Sequence, residues 1–122
     1  MRIALIDDDR AQIEALSKMV TAELWKLGYL ESNIDAFESG EAFLSNWQAG
    51  AYDVILLDIF MDTLTGVEIA HKIRQADHTV RLVFCTTSNE FASESYEVNA
   101  QYYLHKPVGP EGIAAMFRRL NL

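Results

Sequence analysis

Four short stretches hold residues that could do chemistry together. They are Asp7, Asp8 and Asp9 in "ALIDDD", Asp58 in "VILLDIFMD", Thr86, Thr87 and Ser88 in "LVFCTTS", and Lys106 in "YYLHKP". Each follows an apolar run, where a buried strand would give way to a loop. If the first and third runs lie side by side, Asp7, Asp8 and Asp58 share one crevice. Two like charges 4 Å apart repel by roughly 4 kcal/mol at an effective dielectric near 20. Such a cluster protonates, recruits a cation, or both. Carboxylates without His or Cys form a hard oxygen site that suits Mg²⁺ with water completing its shell. A cation, a carboxylate free to act as nucleophile, an amine and a hydroxyl together suggest phosphoryl transfer. Asp58 would attack phosphorus, while Lys106 and Thr86 take the remaining phosphoryl oxygens. Singly these residues mean little: a solvated loop and helix cap, a turn acid, a surface lysine. Their joint placement on four strand ends carries the reading.

The elements that must position them alternate along the chain. Strand-like runs fall at 2–6, 33–37, 53–57, 81–85 and 101–105. Between the first two, Ile13, Leu16, Val20, Leu24 and Leu27 mark one helix face, with Asp9 ahead of Gln12 as its cap and Gly28 as its stop. Ser39 caps a second helix with Phe43, Leu44 and Trp47 inward, closed by Gly50. Thr65-Gly66-Val67-Glu68 has capping-box spacing, and Val67, Ala70 and Ile73 follow on one face. A short, poorly patterned helix is expected at 91–97. Pro107 stops the fifth strand, and Pro110 opens a last helix with Ile113, Met116, Phe117 and Leu120 inward. The Trp and Phe residues on helical faces are read as core. Five strands alternating with five helices predict an α/β fold, a parallel sheet covered on both faces. Ligands of such sheets bind beyond the carboxyl ends of the strands.

The 122 residues form one domain, half apolar and 23% charged. A net charge of −8 with ten scattered basic residues argues against direct nucleic-acid contact. The single Cys85 excludes an internal disulfide and reads as a buried structural thiol. His71, His78 and His105 have no ligand spacing and are read as surface or loop residues. "MRIALIDDD" is no signal peptide, and no run approaches the roughly 20 apolar residues of a membrane span. Cytoplasmic location is the default expectation, with no membrane contact.

Over essentially its whole length the chain resembles the receiver domain of two-component response regulators, on "ALIDDD", "VILLDIFMDTLTG", "LVFCTTS" and "YYLHKP". The resemblance implies a flavodoxin-like, doubly wound five-stranded sheet of order 2-1-3-4-5 over residues 1–122, with Asp58 as phosphoacceptor. Asp7 and Asp8 match the family's acidic pair, Asp8 being nearer to its direct metal ligand, and the Phe60 carbonyl is implied as a further Mg²⁺ ligand. Thr86 and Lys106 match the family's hydroxyl and lysine, and Tyr103 its switching aromatic. A cis Lys106-Pro107 bond is implied too. The implied partner is a sensor histidine kinase, and the implied output is a conformational change through the fourth helix, fifth strand and fifth helix. The implied role is that of a regulator, with only self-catalysed phosphoryl transfer and autodephosphorylation.

"SNEFASESYEVNAQYYLHKP" resembles receivers joined to LytTR-type DNA-binding domains. No such output domain falls within these residues, so an excised or a stand-alone receiver is expected, and a homodimer is left open. Asp62 stands where the family often has proline, and Thr87 where it usually has a smaller residue. Phe60 and Ser88 are expected to flank the phosphoryl group, with Phe60 impeding the water that removes it. Two rivals remain. A small dehalogenase-like phosphatase would use Asp7 and Asp9, but its frame needs Thr or Val where Ala11 stands, and no cap domain is available. A receiver-like protein-binding module without phosphorylation would need none of the full set Asp8, Asp58, Thr86 and Lys106.

Overall fold

The apolar runs become five parallel strands: β1 (Arg2–Ile6), β2 (Asn33–Phe37), β3 (Val54–Asp58), β4 (Arg81–Thr86) and β5 (Tyr102–His105). The computed structural model describes residues 1–61, 64–88 and 90–122. The strands lie in the order β2-β1-β3-β4-β5, as the resemblance implied. The helices are α1 (Arg10–Lys26), α2 (Gly40–Asn46), α3 (Gly66–Ala76), α4 (Ala92–Glu97) and α5 (Pro110–Leu120). Among the described residues no helix is long and apolar enough to cross a membrane.

Alternation along each strand divides the core into two layers. Ile3, Leu5, Val54, Leu56, Val83 and Cys85 face α1 and α5, meeting Leu16, Val20, Ile113 and Phe117. Ala4, Ile6, Ile55, Leu57, Leu82 and Phe84 face the other way, toward Phe43, Ile69, Ala70 and Ile73. The three central strands are therefore apolar on both faces, as a doubly covered parallel sheet requires. Tyr102 packs on the first layer and Tyr103 on the second. Burial pushes the Cys85 thiol up to about 12, so it is a packing residue.

The helix starts are fixed by side-chain caps. Asp9 accepts from the amides of Ala11 and Gln12 at 3.0 and 3.3 Å, and Ser39 from Ala42 at 3.1 Å. Thr65 and Glu68 form a full capping box, each reaching the other's backbone amide at 3.2 Å.

Some expectations need correction. β3 and β4 each run one residue further than the apolar patterns indicated, so Asp58 and Thr86 are the last residues of their strands. Leu27 follows α1 as its C-cap and is 40% exposed, because the helix ends before that position can turn inward. Trp25, one step around from the buried Leu24, is 59% exposed and not core. α2 ends at Asn46, four residues before Gly50; Trp47, its C-cap, is only partly buried, like Leu44. On α3, Val67 is partly buried while Ile69 is fully enclosed.

Candidate functional site

Strand register decides which chemistry-bearing residues meet. Ile6 pairs with Leu57, so Asp7 and Asp58 follow at one level on neighbouring strands. Asp58 pairs with Cys85, and Thr86 with His105. Lys106 then lies just beyond the end of β5, its amide donating to the Thr86 carbonyl at 2.8 Å. The Lys106-Pro107 peptide is cis.

Carboxylate oxygens of Asp7, Asp8 and Asp58 all lie within 4.8 Å of one another. Asp7 and Asp58 are buried, and Asp8 is exposed at the rim. Lys106 Nζ donates to Asp7 Oδ2 at 2.9 Å and lies 3.5 Å from Asp58 Oδ2. Backbone amides complete the two buried acids: Asp9 N–H donates to Asp7 Oδ1 at 2.9 Å, and Phe60 N–H to Asp58 Oδ1 at 3.3 Å.

Burial pushes the Asp58 carboxyl above its ordinary value, with Asp7 adding to the push and Lys106 opposing it. Burial alone would lower Lys106, but the hydrogen bond to Asp7 and the charge of Asp58 outweigh it and hold the amine as an ammonium. Three carboxylates facing one ammonium leave an excess of negative charge in a largely enclosed place. The donors are all oxygen, which fits a hard divalent cation and not a soft one.

Gly66 keeps this arrangement tight. Its amide donates to the Ile59 carbonyl at 3.0 Å, and a Cβ here would come within 2.2 Å of the Asp58 carbonyl oxygen. Only glycine lets α3 start so close to the acid.

The remaining candidates divide by position. Thr86 is wholly buried, and its Oγ1 accepts from the Ser88 amide at 3.4 Å. The Tyr103 hydroxyl donates to the Ser88 carbonyl. Ser88 therefore lies between the hydroxyl and the aromatic ring. Thr87 is exposed. Phe60 is 49% exposed and meets Phe91 edge to face at 5.3 Å between ring centres. Phe91 was not singled out from the sequence, because its neighbours show no helical period. Asp62 lies outside the described residues. Asp9, the second acid of the phosphatase frame, has one carboxylate oxygen already engaged by α1 amides. The three histidines are exposed, as expected.

A family model described as "Response regulator receiver domain" matches residues 3–118. The chain is 31% identical over 121 residues to the positive alginate biosynthesis regulatory protein of Pseudomonas aeruginosa, covering 99% of this chain and 47% of that protein. It is 29% identical over 119 residues to the sensory transduction protein LytR of Staphylococcus epidermidis, covering 98% of this chain and 46% of that one. The chain thus spans less than half the length of these relatives. Among solved structures, the response regulatory domain of MrkE from Klebsiella pneumoniae superposes with a TM-score of 0.80 at 28% identity, covering 99% of this chain and 95% of that one.

Proposed function

The chain belongs to the response regulator receiver domain family, and from that premise we propose that it is a signalling switch set by phosphorylation of Asp58. The observation that carries this reading is the joint placement of three carboxylates and the Lys106 ammonium at the sheet's carboxyl end. Asp58 attacks phosphorus, Lys106 offers its ammonium to one phosphoryl oxygen, and the Thr86 hydroxyl meets another. Asp7, Asp8, Asp58 and the Phe60 carbonyl are the groups that would hold Mg²⁺, which when bound supplies charge neutralisation at the transferring group. Residues 1–122 act as the receiver, the phosphodonor is a sensor histidine kinase in the cytoplasm, and the product is a changed surface and not a released metabolite. The likeness to LytR supports an output domain of the LytTR kind in a longer protein, with DNA contact left to that domain.

The test is incubation with Mg²⁺ and acetyl phosphate, followed by intact mass and peptide mapping. A single phosphoryl adduct on residue 58 supports the switch. Turnover of many phosphomonoesters would favour the phosphatase instead, and an unmodified chain would favour the passive binding module.

Readout follows from Thr86 and Tyr103. A phosphoryl group on Asp58 brings strong acceptor oxygens that draw the Thr86 hydroxyl inward, and the vacated space admits the Tyr103 ring. That motion breaks the Tyr103 contact with Ser88 and alters the face made by α4, β5 and α5. Thr86→Ala and Tyr103→Ala are each expected to abolish the phosphorylation-dependent gain in partner binding while leaving adduct formation on Asp58 in place. Calorimetric titration against the partner, with and without acetyl phosphate, reads this directly; full coupling in both variants would sink the readout.

A further inference from the structure

Phe91 has no role so far, yet it touches two parts of the site. Its ring meets Phe60 edge to face at 5.3 Å. Its main chain lies against the Tyr103 phenol, which also reaches the Ser88 carbonyl. Phe60 in turn carries the amide that donates to Asp58 Oδ1. The Phe60 ring belongs to neither apolar layer, whereas Phe91 packs against the layer beneath α4. A half-exposed ring on a loop visits several rotamers unless a neighbour holds it, and Phe91 is that neighbour. The pair bridges the loop after β3 and the start of α4, across the strand end that carries Thr86.

We propose that Phe91 is a positioning residue for the phosphoryl site: by holding the Phe60 ring at the rim, it limits water's approach to phosphorylated Asp58 and sets how long that state lasts. The inference rests on Asp58 as the acceptor. In the loss reaction one water adds its oxygen to phosphorus while the phosphorus–oxygen bond to Asp58 breaks. The side chain returns as carboxylate, and dihydrogen phosphate leaves with both of the water's protons. A ring pinned at the rim slows the first of these events. Because the Phe91 main chain also touches Tyr103, movement of the tyrosine loosens the aromatic pair, so lifetime and readout are tied to one residue.

The experiment loads the full chain with Mg²⁺ and acetyl phosphate, removes the donor, and follows decay of the adduct by intact mass. Phe91→Ala and Phe60→Ala are each expected to shorten the half-life on the order of three- to tenfold. The double variant is expected to decay no faster than Phe60→Ala alone, since Phe91 acts through that ring. Phe91→Tyr, which keeps the ring, is expected to restore the native half-life; a purely structural role would not require a ring. Thermal melts check folding, and Phe91→Leu replaces Phe91→Ala in the comparison if the latter unfolds. A native half-life in the variant lacking the Phe91 ring, or single effects that multiply in the double variant, would overturn the inference while leaving Asp58 as acceptor. A native chain that gains no adduct would overturn both.

Discussion

An Asp58→Asn chain is expected to gain no phosphoryl group from acetyl phosphate and, in metal-free buffer, to melt several degrees above the native protein. The first half follows from chemistry: an amide is no nucleophile toward phosphorus, and Asp7, the other buried acid of the cluster, has both oxygens engaged by the Lys106 ammonium and the Asp9 amide. The second half follows from burial. Asp58 is only 7% exposed, and burial with Asp7 nearby holds its carboxyl above the ordinary value of 3.8. Between the unfolded and folded values, the folded chain binds a proton that the unfolded chain has released. The stability contributed by this group is therefore full below the unfolded value and declines as pH rises through the folded one. At neutral pH its charge works against the fold. Asparagine removes the charge, keeps an oxygen for the Phe60 amide, and leaves Lys106 paired with Asp7. A gain of about 1 kcal/mol, or about 3–6 °C in Tm for a domain of this size, is the expected scale. Millimolar Mg²⁺ should narrow the gap by stabilising the native chain in proportion to its occupancy. A variant melting below the native chain at pH 7 would mean that the Asp58 charge supports the fold.

Lys106→Met is expected to slow phosphoryl uptake on the order of a hundredfold or more, the scale of losing a pre-placed donor to a developing charge. The Lys106 side chain is only 15% exposed and sits 2.9 Å from Asp7 and 3.5 Å from Asp58. It therefore meets incoming oxygens without first being stripped of much water. Its loss also removes the largest opposition to the upward push on Asp58 and leaves the Phe60 amide alone against it, so the acid holds its proton to higher pH. Uptake rates measured across pH should show both a lower plateau and a rising limb displaced upward. Methionine keeps the stem's bulk, and a melt distinguishes lost chemistry from lost folding. A rate within about twofold of native would mean that the ammonium only balances charge in the resting site.

The fold was legible because each local signal agreed with the next. Apolar runs of strand length alternated with helical periods, and Asp9, Ser39 and Thr65 cap as their positions indicated. The errors have one physical cause, which is that pattern alone does not say where burial ends. Trp25 lies one step around α1 from the buried Leu24, and Leu27 follows the helix as its C-cap, so neither reaches the packed face. Asp58 and Thr86 lie within their strands because backbone pairing continues under polar side chains that the crevice accommodates.

The carboxylate cluster was foreseeable from strand ends, since register in a parallel sheet brings those ends to one level. Contacts made by loops were not. The Phe60–Phe91 pair joins two connections whose relative position no periodicity encodes. The same holds at the opposite end of the sheet. There Arg74 Nε donates to the Val98 carbonyl at 2.6 Å, and buried Asp77 accepts from the amides of Gly50, Thr79 and Val80 at 2.9, 3.0 and 3.0 Å. Burial alone would raise the Asp77 carboxyl, but those hydrogen bonds outweigh it and hold it below its ordinary value. Both residues brace turns, and neither carries a motif.

The proposed phosphoryl chemistry requires one divalent ion shared by acids from two strand ends. Titrating isotopically labelled protein with Mg²⁺ and following backbone amides by NMR tests that sharing directly. The amides of residues 7–9 and 58–60 should shift together along one saturating curve, and Asp58→Asn should weaken that curve for both groups at once. Shifts confined to one strand end, or none at either end at millimolar Mg²⁺, would contradict it.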